Sequence, residues 1–167
     1  MDGTRSRFWI TIEECPSPST YRLFIRESWP RCGARVALGA VGSAWGPALG
    51  RIWDFIRSHP GLRTDSQNIF LYHHPTQPDA PILCDFGVEV TRTFETAGEV
   101  YATETPRGEA AVVVHRGPYN RMNEAHDAIR KWMAGNRRES AGQSWEIYGD
   151  PTPDPANTET TVVYLLK

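Results

Sequence analysis

Rings alternate with carboxylates along this chain in a way that could hold a flat organic cation. At every second position, four segments read Phe70 and Tyr72, Asp85 and Glu89, Glu146 and Tyr148, and Val162 and Tyr164. In a strand, alternate side chains share a face. These residues would then form one surface of aromatics and acids without lysine or arginine. Aromatic faces attract cations by about 0.5–2 kcal/mol per contact, and a carboxylate among rings is partly desolvated, which favours pairing with an incoming positive charge. The complementary set, Ile69, Leu71, Phe86, Val88, Val90, Ile147, Val163 and Leu165, reads as core beneath helices. Cross-strand tyrosine pairing on a wetted sheet fits the same alternation, and the pattern alone leaves both readings open.

Single residues sharpen the picture. Glu146 lies mid-strand between Trp145 and Ile147, a poor place for a purely structural acid. Tyr119 follows Gly117-Pro118; it reads equally as a rim aromatic or as a ring locking that turn. His115 is expected to be partly buried and hydrogen-bonded rather than a general base. His73 and His74 are adjacent, so in a strand they point to opposite faces and cannot chelate together. They read as surface histidines before a turn, and no metal site is expected. Cys84 reads as a packed thiol, and Asp85 and Glu89 as groove acids or as solvated charges. The run Gly39-Ala-Val-Gly-Ser43 lacks the Gly-Lys-Ser/Thr ending of a phosphate loop.

The elements that must position these residues come in two rounds. Without a gap, Glu14 falls on Glu104, Pro16 on Pro106, Arg26 on Arg116, Trp29 on Tyr119 and Arg31 on Arg121. Trp29 and Tyr119 would thus be paired aromatics at the two ends of a groove. The first round reads as strands Phe8–Glu13 and Tyr21–Arg26, a Gly/Ala-rich stretch Cys32–Gly42, a helix and two strands, Asn68–His73 and Leu83–Val90. That helix carries the stripe Trp45, Leu49, Ile52 and Ile56, with Ser43 as cap, Pro47 in its first turn and a stop at His59-Pro60-Gly61. The second round reads as strands Val100–Glu104 and Ala110–Arg116, a helix, and strands Trp145–Tyr148 and Thr161–Leu166. Its helix is capped by Asn120, bears Met122, Ala125, Ile129, Trp132 and Met133, and ends at Gly135-Asn136. The expected fold class is α+β: two strand–helix–strand–strand units related by a pseudo-twofold. Helices would cover one face of an antiparallel sheet, with a concave ligand groove on the other. One domain is expected over residues 1–167, with halves at about 8–95 and 98–167.

Composition excludes several classes. Of the 167 residues, 40% are hydrophobic and 23% charged, which suits a folded soluble chain. No apolar run reaches bilayer length, and the start offers no signal peptide. Eighteen basic against twenty acidic side chains give little grip on phosphates, so no direct nucleic-acid partner is expected. Cys15, Cys32 and Cys84 form no Cys-x-x-Cys pair, as expected of reduced thiols in a cytoplasm.

Five motifs together resemble the GyrI-like effector-binding domains. They are Pro106-Arg-Gly, His115-Arg-Gly-Pro-Tyr119, Cys84-Asp-Phe-Gly-Val-Glu-Val90, the segment Glu124-Ala-His-Asp-Ala-Ile-Arg-Lys-Trp132, and Trp145-Glu-Ile-Tyr-Gly-Asp-Pro151. The resemblance spans about Phe8 to Leu166. It implies a groove for lipophilic, often cationic compounds, with no cofactor and no metal. It places Glu146 at the pocket floor with Tyr148 beside it. Phe70, Tyr72, Asp85, Trp145, Val162, Tyr164 and the rim aromatics Trp29 and Tyr119 would line that pocket. The family's last strand usually carries a second acid where this chain has Val162. Similar stand-alone proteins hydrolyse cyclopropane-bearing toxins, which would make Glu146 the acid or base, helped by Tyr119 or Tyr148. That subset usually has a histidine where this chain has Trp145. The resemblance also leaves open a protein-interaction role, such as modulating gyrase or serving a separate regulator. Oligomeric state is not legible.

Overall fold

A palindrome organises the sheet. In the computed structural model, which describes residues 21–25, 30–37, 41–62, 67–77, 80, 82–90 and 94–167, eight strands pair antiparallel into one sheet. They are β1 (Tyr21–Ile25), β2 (Pro30–Ala37), β3 (Asn68–His73), β4 (Leu83–Glu89), β5 (Tyr101–Glu104), β6 (Gly108–Arg116), β7 (Ser140–Tyr148) and β8 (Glu159–Leu166). Their order is β1-β6-β8-β7-β3-β4-β2-β5. Read outward from the β7–β3 seam, β8 answers β4, β6 answers β2 and β1 answers β5. Each strand–helix–strand–strand unit is therefore closed by the leading strand of the other unit. The α+β architecture expected from the sequence is the one observed.

The palindrome corrects the gapless repeat alignment. That alignment matched Tyr21–Arg26 with Ala110–Arg116, but β1 is the counterpart of β5, and β6 is the counterpart of β2. The Gly/Ala-rich stretch that opens at Cys32 is largely strand, not loop. Gly33, Ala34 and Ala37 give weak strand propensity, and pairing with β4 on one side and β5 on the other overrides it. The expected strand Phe8–Glu13 and the aromatic Trp29 lie outside the described residues.

Two helices cover one face. Helix α1 (Val41–Ser58) packs over β2 and β4, and α2 (Asn123–Gly135) over β6 and β8. In α1, Leu49, Ile52 and Ile56 are buried at helical spacing, whereas Trp45 at the end of the stripe is half exposed. The helix starts before Ser43, so Ser43 lies inside the first turn rather than capping it. Pro47 consequently falls in the second turn, where its missing N–H removes a helical bond. With Gly42, Gly46 and Gly50 as well, α1 has poor intrinsic helicity and depends on its packing against Phe70, Cys84, Phe86 and Val88. A 3-10 turn, Tyr119–Arg121, precedes α2 and absorbs Asn120. The residue before α2 is Met122, which has no side-chain cap. No helix among the described residues is long and apolar enough to cross a membrane.

One glycine beyond β7 fixes how that strand leaves the sheet. A Cβ on Gly149 would meet Glu159 O at 2.8 Å, where Gly149 N already donates to the same oxygen at 2.9 Å. Gly149→Ala is expected to destabilise the protein by about 1–3 kcal/mol, read as a lower denaturant midpoint at unchanged slope.

Candidate functional site

The central strands β3 and β7 lie between the strands that the two helices cover, and their helix-side residues are the candidate floor of a ligand site. Glu146 is opposite Phe70 on β3 and Val162 on β8. Phe70 and Tyr148 pack with the α1 cluster, and Val162 and Tyr164 with the α2 cluster. Glu146, Phe70, Tyr72, Tyr148, Val162 and Tyr164 therefore share the helix-bearing face, the reverse of the sequence expectation. Alternation separates two sets of side chains, and both sets here are apolar enough to be buried. Ile69, Leu71, Ala110, Val112, Trp145 and Val163 form a core on the opposite face.

Glu146 is 5% exposed and fully hydrogen-bonded. Its Oε1 lies 2.9 Å from His126 Nε2 on α2. Its Oε2 accepts from the hydroxyls of Tyr72 at 2.8 Å and Tyr148 at 2.5 Å. Burial alone would push this carboxyl up, but the bonds from His126, Tyr148 and Tyr72 outweigh it and hold it below the usual carboxylate range. The site thus contains a charged, buried carboxylate at neutral pH. Burial, then the charge on Glu146, pushes both tyrosine hydroxyls far up, so they remain donors.

The network continues outward. His126 Nδ1 meets the Tyr164 hydroxyl at 3.0 Å, and Arg130 Nη1 reaches that hydroxyl at 3.4 Å. His74 Nε2 lies 2.7 Å from Ser144 Oγ, and its ring stacks on Tyr164 with centroids 5.8 Å apart. Burial, followed by the nearby charges of His126 and Arg130, lowers the His74 pKa. Rings wall the floor. Phe70 packs against Phe86 and Tyr148, and Tyr119 meets Tyr148 edge-on at 5.5 Å. Tyr119 is 52% exposed and borders a depression of about 270 Å³ with Pro118, Pro151, Thr152, Pro155 and Thr158.

Of the residues singled out from sequence, the structure brings together Phe70, Tyr72, Glu146, Tyr148 and Tyr164, with Tyr119 at the margin. Val162 sits beneath Glu146 but is completely buried, so it supports the floor rather than lining it. Three others are corrected. Trp145 alternates with Glu146, points to the far face and is 1% exposed. Asp85 is on that face too, buried, with His73 Nε2 at 2.8 Å from its Oδ2. Glu89 shares the Asp85 face and is half buried. His73 is thus hydrogen-bonded to a buried acid and not a plain surface histidine. His115 is buried with Nε2 at 3.3 Å from Pro118 O, the structural role expected of it.

Sequence reasoning missed His126, Arg130 and Ser144, and it read His74 as a surface histidine, whereas His74 is partly buried against Ser144 and Tyr164. His126 and Arg130 had a visible signal. His126 follows Ala125, lies four residues after Met122 and precedes Arg130 by four, so helical periodicity places it at the edge of the buried stripe.

The family model for the GyrI-like small molecule binding domain matches residues 44–166, an interval that holds α2, all but the first three residues of α1 and the whole Glu146 network. The chain belongs to this family. Comparison with curated proteins by sequence finds no match. Among solved structures, this GyrI-like chain resembles the EcmrR C-terminal domain with a TM-score of 0.69 at 18% identity, covering 89% of this chain and 96% of that one. SAV2435 bound to tetraphenylphosphonium gives a TM-score of 0.66 at 8% identity, covering 89% and 94%. A hydrolase from Listeria innocua gives 0.62 at 13% identity, covering 92% and 94%. At such identities the likeness is one of fold.

Proposed function

We propose that this GyrI-like domain binds lipophilic aromatic compounds, cations among them, in the cleft over β3 and β7, and so senses or sequesters them. The observation that carries this reading is the Glu146 carboxylate, charged though buried, surrounded by Phe70, Tyr72, Tyr148 and Tyr164. A negative charge kept from water attracts a cation far more strongly than a hydrated one, and the rings add their own attraction. The drug-bound state of SAV2435, which shares the fold, supports the choice of ligand class.

Titration with tetraphenylphosphonium by calorimetry, and with a rhodamine-type dye by fluorescence anisotropy, tests the proposal. The wild type is expected to bind both. Glu146→Gln, which keeps the shape and removes the charge, is expected to lose about tenfold to a hundredfold in affinity, the equivalent of one charged hydrogen bond. Absence of binding, or a Glu146→Gln variant as tight as the parent, overturns it.

A second reading is hydrolysis of a strained electrophile. It is favoured by the His126–Glu146 pair at 2.9 Å, an imidazole set against a carboxylate inside a ring-lined cleft. Since Glu146 is charged at neutral pH, its role there would be to accept a proton from attacking water, not to protonate the substrate. Product formation from a cyclopropane-bearing compound, followed by mass spectrometry and abolished in Glu146→Gln, would establish this activity.

A further inference from the structure

Both carboxylate oxygens of Glu146 are already hydrogen-bonded within the protein. Oε1 is taken by His126, and Oε2 by Tyr72 and Tyr148. With a neutral imidazole at His126, the bond directions follow from the two ends of the chain. Arg130 can only donate, and a charged carboxylate can only accept. The arrangement is satisfied throughout when Arg130 donates to Tyr164, Tyr164 donates to His126 Nδ1, and His126 Nε2–H donates to Glu146. The imidazole then presents one ring N–H to the acid and one bare ring nitrogen to the phenol. It is a flat, basic heteroaromatic ring, lodged where a flat, basic ligand would sit.

We infer that His126 is the resident occupant of the ligand's polar seat, and that the cleft selects N–H-bearing heteroaromatic bases, of imidazole or benzimidazole type, over quaternary cations. The inference rests on reading the cleft as a ligand site. To reach Glu146 a ligand must expel the imidazole, whose side chain is 18% exposed and so has an open side toward solvent. A ligand with an N–H donor and a ring-nitrogen acceptor restores both bonds that His126 gives up. A quaternary cation restores neither; it leaves Glu146 Oε1 without a donor and the Tyr164 hydroxyl without its imidazole partner, in surroundings where each residue is only 5% exposed. Sites built around buried hydrogen-bonding groups discriminate strongly against analogues that leave those groups unmatched.

The test compares probes of matched shape on the wild-type protein: 2-phenylbenzimidazole, its N-methyl derivative, and tetraphenylphosphonium. The N–H compound is expected to bind at least tenfold more tightly than the N-methyl one. In His126→Ala, millimolar imidazole is expected to raise Tm by refilling the seat, with no such rise in the wild type. Equal affinities for the two benzimidazoles, or no imidazole-dependent shift in a folded His126→Ala, overturn the inference. If tetraphenylphosphonium binds while the N–H preference is missing, only the selectivity fails. If none of the three binds, the reading of the cleft fails with it. The wild-type comparison does not depend on the variant folding.

Discussion

Trp145→Ala is expected to lose about 3–5 kcal/mol of stability while the folded fraction keeps its ligand affinity. Trp145 precedes Glu146 but faces the other way. It is 1% exposed, opposite Leu71 on one side and Val163 on the other, within the core that also holds Ile69, Ala110 and Val112. Truncation removes the largest fully buried side chain of the described residues and leaves a cavity that neighbours on three rigid strands cannot close. Denaturant unfolding checks the first half of the expectation. Titration with the cleft probes, at a temperature where the variant is fully folded, checks the second. A small stability change with lost affinity would mean that Trp145 belongs to the cleft, where the family resemblance placed it against the alternation pattern.

That pattern shows where sequence stops. Period-two alternation grouped Phe70 with Tyr72 and Glu146 with Tyr148 correctly, because strand geometry dictates it. It could not say which group met the helices. The decision turned on which set had more aliphatic carbon, and the helix-side set hides its polarity in tyrosine hydroxyls that converge on one carboxylate. Asp85 misled in the same way. Its neighbour in the sheet, His73, satisfies it on the far face, a pairing that depends on β3–β4 register.

The strands and helices themselves were largely legible, since caps aside they follow from periodicity. The exception, β2, mixes Gly33, Ala34 and Ala37 with Arg31 and Arg35 and so gives no apolar alternation; it is specified by its two partner strands. The exchange of leading strands between halves is invisible to a gapless comparison, because β1 resembles β6 in apolar content while occupying the place of β5. His126 was inside a quoted motif, yet its role depends on how α2 crosses β7. No spacing within the helix reports that.

The largest consequence of the Glu146 network is expected from the double substitution Tyr72→Phe/Tyr148→Phe. The loss should be about 3–6 kcal/mol at neutral pH, from two hydrogen bonds to a buried charge. Each single change should cost less than half of this, because both hydroxyls serve Oε2 and either one alone still covers it. The pH dependence separates this from loss of packing, since phenylalanine preserves the rings. In the parent, Glu146 titrates below its unfolded value, so its contribution to stability is present above the ordinary carboxyl pKa and disappears as pH falls through the folded one. Without the two donors, two of the causes that lower the folded pKa are gone, so it rises and the carboxyl contributes less stability at neutral pH. Unfolding measured from pH 7 down to pH 4 should therefore show the gap between parent and variant narrowing. A gap that is constant with pH would mean that the tyrosines stabilise the fold as rings alone and that Glu146 does not depend on them for its charge.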